Sequence, residues 1–363
     1  MRVNNVNYQT IWLKDRETVQ VIDQRKLPFD FCVRDIKSAE DAYRAIKEMV
    51  VRGAPLIGVT ASFGVYLALL NATERDWKEQ MKKTVDRLKS ARPTAINLEF
   101  AVNQHTERLA HIQSLEEARN LARKTAEEFL ESEKENCRKI GEYGLPLIEE
   151  ISKNKDDEPV NILTHCNAGW LATIDYGTAT APVYLAHDKG INLHVWVDET
   201  RPRNQGARLT AWELEKHGIP YTVIADNTGG LLMQHGMVDM VITGSDRTAA
   251  NGDVANKIGT YLKALAANDN EVPFYVAVPL SSIDMTIERG VNGIPIEQRH
   301  GDEVKYIEGY SGGTIKKVLL TPENSRVANY GFDVTPAKYV TSLVTEKGVC
   351  KPNKKEIKKM FKS

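Results

Sequence analysis

Cysteine is scarce in this chain of 363 residues, and basic charge is not in excess. The four cysteines, Cys32, Cys137, Cys166 and Cys350, lack Cys-x-x-Cys spacing, so neither a disulfide framework nor a zinc ribbon is indicated. A reducing cytoplasm is the expected compartment. Forty-eight Lys and Arg residues against 49 Asp and Glu residues give a formal charge of −1, which disfavours a general nucleic-acid binder. A local basic patch that binds a small phosphate stays compatible with this balance.

Signals for export and for membrane insertion are missing too. The first six residues lack the apolar core of a signal peptide. The segment 54–73 has no charged residue and is long enough to span a bilayer, but it contains a proline, two glycines and several polar residues. We therefore expect a buried core helix there, and a soluble protein without membrane partners.

Two sequence signatures of nucleotide sites and one of metal sites are also absent. No G-x-G-x-x-G follows the first predicted strand of the second half, and no G-x-x-x-x-G-K-[ST] occurs. There is no H-E-x-x-H, and the eight histidines show no ligand-like pairing. We therefore expect chemistry by side chains alone, with no cofactor and no metal.

The N-terminal part shows mostly helical periodicity behind a short β-like opening. Two segments rich in β-branched residues, 6–12 and 18–23, predict a small meander. Ser38 and Ser114 each stand three residues before an acidic residue, which is the spacing of a capping box. Ser114 opens a long charged helix that we expect to be interrupted by the glycines and the proline of residues 141–146.

A polar, charge-dense segment, residues 152–159, separates this part from one with a different rhythm. Five short apolar runs then alternate with stretches long enough for helices, at 160–164, 193–197, 221–225, 240–243 and 274–278. Strands that alternate with helices predict a parallel sheet covered on both faces. The sequence thus predicts an α/β protein with a mostly helical N-terminal domain and small β meander, residues 1–151, and a doubly wound, Rossmann-like domain, residues 152–363.

In open parallel α/β sheets, ligands bind beyond the carboxyl ends of the strands. Polar and reactive residues follow four of the predicted strands, in the segments 164–169, 198–206, 226–227 and 244–247. A solvated loop would explain any one of them. Four together predict a site at this edge of the sheet.

Two residues at this edge are candidates for chemistry. Cys166 stands at a strand end before an expected helix start, where helix amides would lower a thiol pKa, whereas an apolar environment would raise it. A small buried residue without chemistry is the alternative for Cys166. Asp246 would be a general acid if it is desolvated, and is otherwise an ion-paired loop residue. These alternatives stay open at the level of the residues.

Anion-binding candidates occur in both halves of the chain. Arg52 precedes a glycine, free amides and a helix-starting proline. Arg92 and Pro93 repeat this arrangement before another helix. In the second half, Asn256 and Lys257 are expected at the start of the helix after the fourth strand. Together these residues predict a site for a phosphate and hydroxyl groups across a cleft between domains.

The same residues belong to longer motifs that follow one another along the chain. These are RGAPLIG (52–58), SARPTAINL (90–98), THCNAG (164–169), ETRPRNQGARLTAWEL (199–214), GSDRTAANGDVANKIGTY (244–261) and PFYVAVPLSSID (273–284). The set resembles the S-methyl-5-thioribose-1-phosphate isomerases of methionine salvage, a family within the eukaryotic initiation factor 2B alpha/beta/delta-subunit superfamily. The resemblance extends over nearly the whole chain.

The resemblance implies an aldose–ketose isomerase that acts on a small sugar phosphate without metal or nucleotide cofactor, as a cytoplasmic homodimer. The anomeric oxygen of the substrate carries the phosphate, so the ring does not open by itself as that of a free sugar does. By motif, Asp246 resembles the family's acid and Cys166 its second catalytic residue. The positions that resemble substrate contacts are Arg52, Gly53, Ala54, Arg92, Gln205, Asn256 and Lys257.

Three departures from the family pattern concern the neighbourhood of the site. Ser245 stands where Ala is expected, Arg203 and Asn204 replace a more usual apolar pair, and the segment 308–330 differs from the usual family ending. They leave the choice of 5-substituent open, and a 5-deoxyribose 1-phosphate isomerase would keep every catalytic residue. A ribose 1,5-bisphosphate isomerase would need a second anion site, for which no further basic motif is evident.

An alternative of another class is a non-catalytic regulatory subunit like the initiation-factor relatives. The presence of both Cys166 and Asp246 argues against it. Whether hydrogen moves from C2 to C1 through an enediol or as a hydride is not decided by the sequence.

Overall fold

The computed structural model describes residues 1–3, 6–92 and 96–362. The first part contains these elements in chain order: β1 (Arg2–Val3), β2 (Val6–Asn7), β3 (Ile11–Leu13), β4 (Val19–Ile22), β5 (Val33–Ile36), α1 (Ala39–Lys47), α2 (Ala54–Leu70), α3 (Trp77–Lys89), α4 (Ile96–Leu109) and α5 (Leu115–Ser152). The expected meander is the antiparallel sheet β3–β4–β5. The predicted strand 6–12 is divided between β2 and β3, and β5 was not predicted.

Both predicted capping boxes are confirmed at their N-caps. The Ser38 hydroxyl accepts the N–H of Asp41 at 3.1 Å, and the Ser114 hydroxyl accepts that of Glu117 at 3.5 Å. The uncharged segment 54–73 forms α2, whose residues 54–69 are all buried, because four other helices and the small sheet surround it. In the described part of the chain, no helix is long and apolar enough to cross a membrane.

The predicted interruption of the long charged helix is wrong, because α5 is one continuous helix that contains Pro146. Gly141 and Gly144 serve packing instead. A Cβ on Gly144 would lie 2.4 Å from Pro182 Cγ, and one on Gly141 would lie 2.9 Å from a Leu185 methyl carbon. The two glycines therefore let the following helix approach α5 closely.

The second part contains these elements: β6 (Val160–Thr164), α6 (Ala181–Asp188), β7 (Leu193–Asp198), α7 (Ala211–His217), β8 (Tyr221–Ile224), α8 (Thr228–Gln234), β9 (Met240–Thr243), β10 (Arg247–Ala249), β11 (Val254–Lys257), α9 (Thr260–Asp269), β12 (Phe274–Ala277), β13 (Ile283–Asp284), α10 (Gly290–Gly293), α11 (Asp302–Lys305), β14 (Tyr306–Ser311), β15 (Thr314–Leu319), β16 (Phe332–Thr335), β17 (Ser342–Thr345), β18 (Gly348–Cys350) and α12 (Lys354–Met360).

The central sheet has the order β18–β17–β12–β9–β6–β7–β8 and is parallel except for β18. All five predicted strands belong to it, within one residue of their expected ends. The predicted parallel α/β architecture is thus confirmed. The helix expected directly after Cys166 is instead a 3₁₀ turn at Trp170–Ala172, and α6 follows it.

A second, smaller sheet has the order β13–β10–β11–β16, and its first strand in the chain, β10, begins just beyond the carboxyl end of β9. Asn256 and Lys257 lie on β11 of this sheet, so the prediction that they start a helix is wrong. The helix begins only at Thr260. The pairing of β10 with β11 is antiparallel and local, and this alternative to a helix start has little apolar sequence signal.

The segment 308–330, which departs from the family pattern, contains most of the antiparallel hairpin β14–β15. Residues 309–313, Gly-Tyr-Ser-Gly-Gly, match G-x-S-x-G, the pattern of the serine-hydrolase nucleophile elbow. They lie at the tip of this exposed hairpin, not at a strand-to-helix turn, so they form no such elbow.

Among the described residues, the apolar core has one large cluster around α2, two on the faces of the central sheet and a small one of Ala249, Ala255 and Ile294. Helix α5 contributes to both kinds: Phe129 and Leu130 belong to the first, whereas Ile140 and Ile148 pack in a sheet cluster. The division at 151/152 stays a prediction.

Candidate active site

A cleft lies where the start of α2 meets the loop after β6 and the sheet β13–β10–β11–β16. Its empty space is about 750 Å³, including the part open to solvent. Eight of the nine residues expected in the site line this cleft: Arg52, Gly53, Ala54, Arg92, Cys166, Gln205, Asp246 and Lys257. The ninth, Asn256, is buried beside it, and its Nδ2 donates to the Thr260 hydroxyl at 3.0 Å. The two catalytic candidates thus share one cleft.

Gly53 is the N-cap of α2, and its φ of +95° lies in the region that favours glycine. A Cβ there would lie 2.2 Å from the Ala172 carbonyl oxygen. This close approach brings the start of α2, with Pro55 in its first turn, against the 3₁₀ turn after β6. The N-terminal end of a helix of 17 residues therefore faces the cleft, which favours an anion.

Arg52 is held by Asn167, the residue that follows Cys166. Its guanidinium donates to the Asn167 side-chain oxygen and, at 2.6 Å, to the Asn167 carbonyl oxygen. The Asn167 amide in turn donates to a Glu213 carboxylate oxygen at 2.9 Å. Glu213 is buried and also accepts the N–H of Leu171 and the hydroxyl of Tyr184. This network fixes Arg52 relative to the loop that carries the thiol.

Cys166 has a φ of +67°, and both its backbone N–H and its backbone carbonyl are hydrogen-bonded. Its N–H donates to the Thr200 hydroxyl at 2.8 Å, and its carbonyl accepts from the Thr210 hydroxyl at 2.7 Å. Burial raises the pKa of the thiol, although Arg52 and Lys257 act in the opposite direction. The effect of an apolar environment therefore prevails over that of nearby positive charge, and the thiol is neutral near pH 7.

Asp246 lies between β9 and β10, and its N–H donates to the Ala255 carbonyl at 2.9 Å. Burial of its carboxyl group raises the pKa of Asp246, whereas the cationic side chains of Lys257 and Arg52 lower it. The raised pKa favours the protonated carboxylic acid, which is the form that a general acid requires.

Lys257 approaches the cleft from β11. Its Nζ donates to the Gly331 carbonyl at 3.0 Å and lies 4.9 Å from the centre of the Phe332 ring. Burial lowers the pKa of this ammonium group, while Cys166 and Asp246 raise it. A cation thus stands close to both catalytic candidates.

Arg92 and Gln205 present unpaired polar atoms. The Nε and Nη1 atoms of Arg92 and the Oε1 atom of Gln205 are buried without a hydrogen-bond partner. Buried polar groups in proteins are normally paired, so atoms of this kind indicate the place of a ligand. Pro93, which was expected to start the helix after Arg92, lies outside the described residues.

Sequence reasoning missed the opposite wall of the cleft. Met49, Ile294, Pro295 and Phe332 supply its apolar surface, and Arg299 lies among them. The segment that holds three of these residues belongs to none of the motifs above, so no sequence signal pointed to it. Asn167 and Glu213, in contrast, stand inside two of the motifs.

One group of side chains near the site has the geometry of a metal site. His165, Asp198 and Asp226 each offer a ligand atom, all within 4.8 Å of one another. The Lys263 ammonium, however, lies 3.2 Å from an Asp198 carboxylate oxygen and also donates to the Asp226 carbonyl. His165 already bonds Asp198 at 2.8 Å and the Ile258 carbonyl at 2.9 Å. These groups compensate one another, so the donor set does not fit a metal ion.

Comparison with known proteins gives matches along nearly the whole chain. The initiation factor 2 subunit family matches residues 50–352. A protein of Desulfatibacillum aliphaticivorans named methylthioribose-1-phosphate isomerase is 54% identical, over an alignment that covers 99% of this chain and 99% of that protein.

Two solved structures have a similar fold and substantial identity. The 5-methylthioribose 1-phosphate isomerase from Pyrococcus horikoshii is 39% identical with a TM-score of 0.85, over 98% of this chain and 96% of that chain. The delta subunit of the translation initiation factor eIF-2B from A. fulgidus is 38% identical with a TM-score of 0.80, over 98% and 100%.

Proposed function

The chain belongs to the initiation factor 2 subunit family, and from that premise we propose that it converts S-methyl-5-thioribose 1-phosphate to S-methyl-5-thioribulose 1-phosphate, an aldose–ketose isomerisation of methionine salvage. The observation that supports this most is the shared cleft of Cys166 and Asp246. Five cationic side chains line the same cleft, those of Arg52, Arg92, Arg247, Lys257 and Arg299.

Asp246 is the acid that opens the ring. Because the anomeric oxygen is esterified, the ring oxygen has to leave C1 as an alcohol, and it needs a proton to do so. Burial raises the pKa of Asp246, which favours the protonated carboxyl group that this step requires. The C1–O bond then breaks, and the ring oxygen becomes the hydroxyl group at C4.

Hydrogen then moves from C2 to C1, and the C2 hydroxyl loses its proton to the Asp246 carboxylate to become the ketone. The neutral Cys166 thiol is a poor acceptor for a C2 proton, so it favours a direct shift of the hydrogen with its electron pair. A C2-deuterated substrate tests this step. Full retention of the label at C1 supports the shift, and exchange with solvent indicates an enediol.

The phosphate binds among the cations and the amides at the start of α2. Arg92 offers Nε and Nη1, and the helix end at Gly53 and Ala54 adds backbone N–H groups and its dipole. Asn256 holds Thr260 at the start of α9 through one amide N–H, and its proposed contact with substrate uses the second N–H or the Oδ1 atom of the same amide.

The apolar wall favours a methylthio group at C5. Met49, Ile294 and Phe332 offer apolar surface, whereas the two further cations of the cleft are already paired, Arg299 with Glu297 and Glu303, and Arg247 with Asp284. A second phosphate would lack a free partner there. We expect turnover of the methylthio sugar to exceed that of the 5-deoxy sugar, and ribose 1,5-bisphosphate to be the poorest of the three. Rates measured by ³¹P NMR with each sugar test this order. Fastest turnover of ribose 1,5-bisphosphate would overturn it.

A regulatory subunit remains the second candidate, on the 38% identity with the delta-subunit structure. It predicts a stable complex with translation initiation factors and no turnover of any of the three sugars. Size-exclusion chromatography with those factors, beside the NMR assay, separates the two functions.

The assembly proposed from the family is a cytoplasmic homodimer. Val223, Leu231, Met237 and Leu262 expose apolar side chains on β8, on α8, just after α8, and on α9, and α8 packs against α9. This surface is the proposed contact with a second copy of the chain. Four free cysteines agree with a reducing compartment.

A further inference from the structure

The segment 294–299, called the strap here, lines the cleft with Ile294, Pro295 and Arg299. It pairs with the chain just before β16: the Arg299 N–H donates to the Asn329 carbonyl at 2.9 Å, and the Gly331 N–H donates to the Glu297 carbonyl at 2.8 Å. The Gly331 carbonyl accepts from Lys257 Nζ. The backbone of the strap is therefore tied to the residue that holds Lys257.

On its other side, the strap reaches Arg92 through the Glu297 carboxylate. Glu297 Oε2 lies 3.5 Å from Arg92 Nη2, and both side chains are largely buried, with 25% and 12% of their surface exposed. Among the described residues, Glu297 is the only carboxylate within ion-pair distance of Arg92. The contact is an ion pair without a hydrogen bond, because Glu297 Oε2 is buried without a hydrogen-bond partner, and it leaves Arg92 Nε and Nη1 unpaired as well.

Glu297 is itself held in place. Its Oε1 lies 2.9 Å from Arg299 Nη1, and Arg299 makes two further bonds to Glu303, at 2.9 and 2.8 Å. Asn329 and Arg203 also donate to the Glu303 carboxylate. Arg299 is thus committed to carboxylates and is unavailable to a phosphate, while Glu297 stands fixed between two guanidinium groups.

We propose that Glu297 is a positioning residue for the isomerisation, which acts through Arg92 by holding the guanidinium group with Nε and Nη1 directed at the phosphate of the substrate. This inference rests on the proposed function. A guanidinium group removed from water and ion-paired at one corner loses little further freedom when an anion binds, so the affinity for phosphate increases. The effect belongs to binding and not to the reacting carbons.

The negative charge of Glu297 would also repel the phosphate, and this repulsion has the opposite effect on the affinity for substrate. If repulsion prevailed, removal of the carboxylate would tighten binding. The sign of the change in KM therefore decides between positioning and repulsion.

The test compares Glu297→Ala and Glu297→Gln with the wild-type enzyme. We expect KM to rise about tenfold in Glu297→Ala, which corresponds to about 1.4 kcal/mol, while kcat changes less than about threefold. Glu297→Gln keeps an oxygen near Arg92, so it should rescue part of the loss. It also fills the same space, so the test stands if Glu297→Ala does not fold.

A pH profile gives a readout that a purely structural role would not move. Glu297 raises the pKa of Asp246, so Glu297→Gln should shift the alkaline fall of kcat/KM to lower pH. The matched control is Glu288→Gln, an exposed carboxylate that pairs with Lys354 away from the cleft. Its KM and pH profile should equal those of the wild type.

Binding of inorganic phosphate, measured by calorimetry, keeps this inference separable from the proposed function. Wild-type protein that turns over no sugar phosphate refutes the function, whereas the ratio of phosphate affinities between wild type and Glu297→Ala still tests the positioning. A weaker affinity in Glu297→Ala supports the inference. Equal or tighter affinity, or a fall in kcat with KM unchanged, overturns it.

Discussion

At several positions around the cleft, the backbone conformation or a close approach of another segment limits which residue the position accepts. Gly53 adopts a φ of +95° against the Ala172 carbonyl, and a Cβ on Gly206 would lie only 1.7 Å from the Asp198 carbonyl oxygen. Cys166 adopts a φ of +67° although it is not a glycine. Such conformations persist only where the surrounding hydrogen bonds fix them, as Thr200 and Thr210 do for Cys166.

The substitution Gly53→Ala tests how closely phosphate binding depends on that approach. The added Cβ would force the start of α2 away from Ala172, so we expect the affinity for inorganic phosphate to fall at least about tenfold, or 1.4 kcal/mol. Gly190→Ala is the matched control, because Gly190 also has a positive φ, +80°, but open space around it. It should lower only the free energy of unfolding, by roughly 1 kcal/mol. Equal phosphate affinity in the two variants would contradict this account.

The residues that sequence could predict are those whose type already suggests chemistry. A thiol and an acid at strand ends, with cations beside expected helix starts, pointed to one site, and eight of the nine predicted residues line one cleft. Glu297 could not be found in this way, because its effect comes from its position beside Arg92 and not from its own reactivity. The pairing of Asn167 with Arg52 likewise depends on two segments that are far apart in sequence.

Among the elements, the strands of the central sheet were the easiest to predict. Their apolar runs are long enough and buried on both faces, as for β6 and β9. The sequence could not show that α5 continues through Gly141, Gly144 and Pro146. The two glycines allow α6 to pack closely against α5, and this contact is not visible in the local sequence. β11 was missed because it shows no alternation of apolar and polar residues: its polar residues Asn256 and Lys257 are consecutive, and both are buried.

Helix α5 also carries a buried carboxyl group, Glu133, whose burial raises its pKa from 4.5 to about 7. Its Oε2 atom has no hydrogen-bond partner. Between pH 4.5 and about 7, the folded state retains this proton while the unfolded state has lost it. The contribution of protonated Glu133 to the free energy of unfolding is therefore complete below pH 4.5 and is lost as the pH rises to about 7. The loss is on the order of 3 kcal/mol, at about 1.4 kcal/mol per pKa unit.

We therefore expect Glu133→Gln to remove this part of the pH dependence. Urea unfolding at pH 5 and pH 8 should show that the variant gains stability relative to wild type as pH rises. Glu142→Gln, on the exposed side of the same helix, should follow the wild type at both values. A constant difference between Glu133→Gln and wild type at the two pH values would refute the buried-carboxyl explanation.

At the scale of the whole molecule, the sequence predicted the class and the order of the two parts but not how they share a helix. The composition change at 152–159 coincides with the end of α5, yet residues of α5 pack in the core around α2 and in that of the sheet. A linker in sequence is thus not a gap in packing. The hairpin β14–β15, for its part, stands out in sequence only as a departure from the family.

The proposed homodimer depends on the exposed apolar surface of β8, α8 and α9. We expect sedimentation equilibrium to give twice the chain mass of 40.7 kDa for the wild type, and the monomer mass for Leu231→Glu, because a charge would be buried in the contact. Leu320→Glu is the control, since Leu320 is exposed to a similar extent, 53% against 55%. A monomeric wild type, or dissociation by Leu320→Glu alone, would contradict this surface.

The central claim is that Cys166 and Asp246 act on one sugar phosphate in one cleft. Its most direct test is ¹³C NMR of 5-methylthioribose 1-phosphate incubated with the wild type, Cys166→Ser and Asp246→Asn. The account predicts that the ketose 1-phosphate forms with the wild type and that Asp246→Asn, which loses the general acid, lowers kcat by about 10² to 10⁴. Cys166→Ser should also lower kcat, and the folding of both variants should be unchanged. Absence of the ketose with the wild type, or undiminished turnover in either variant, would contradict the account.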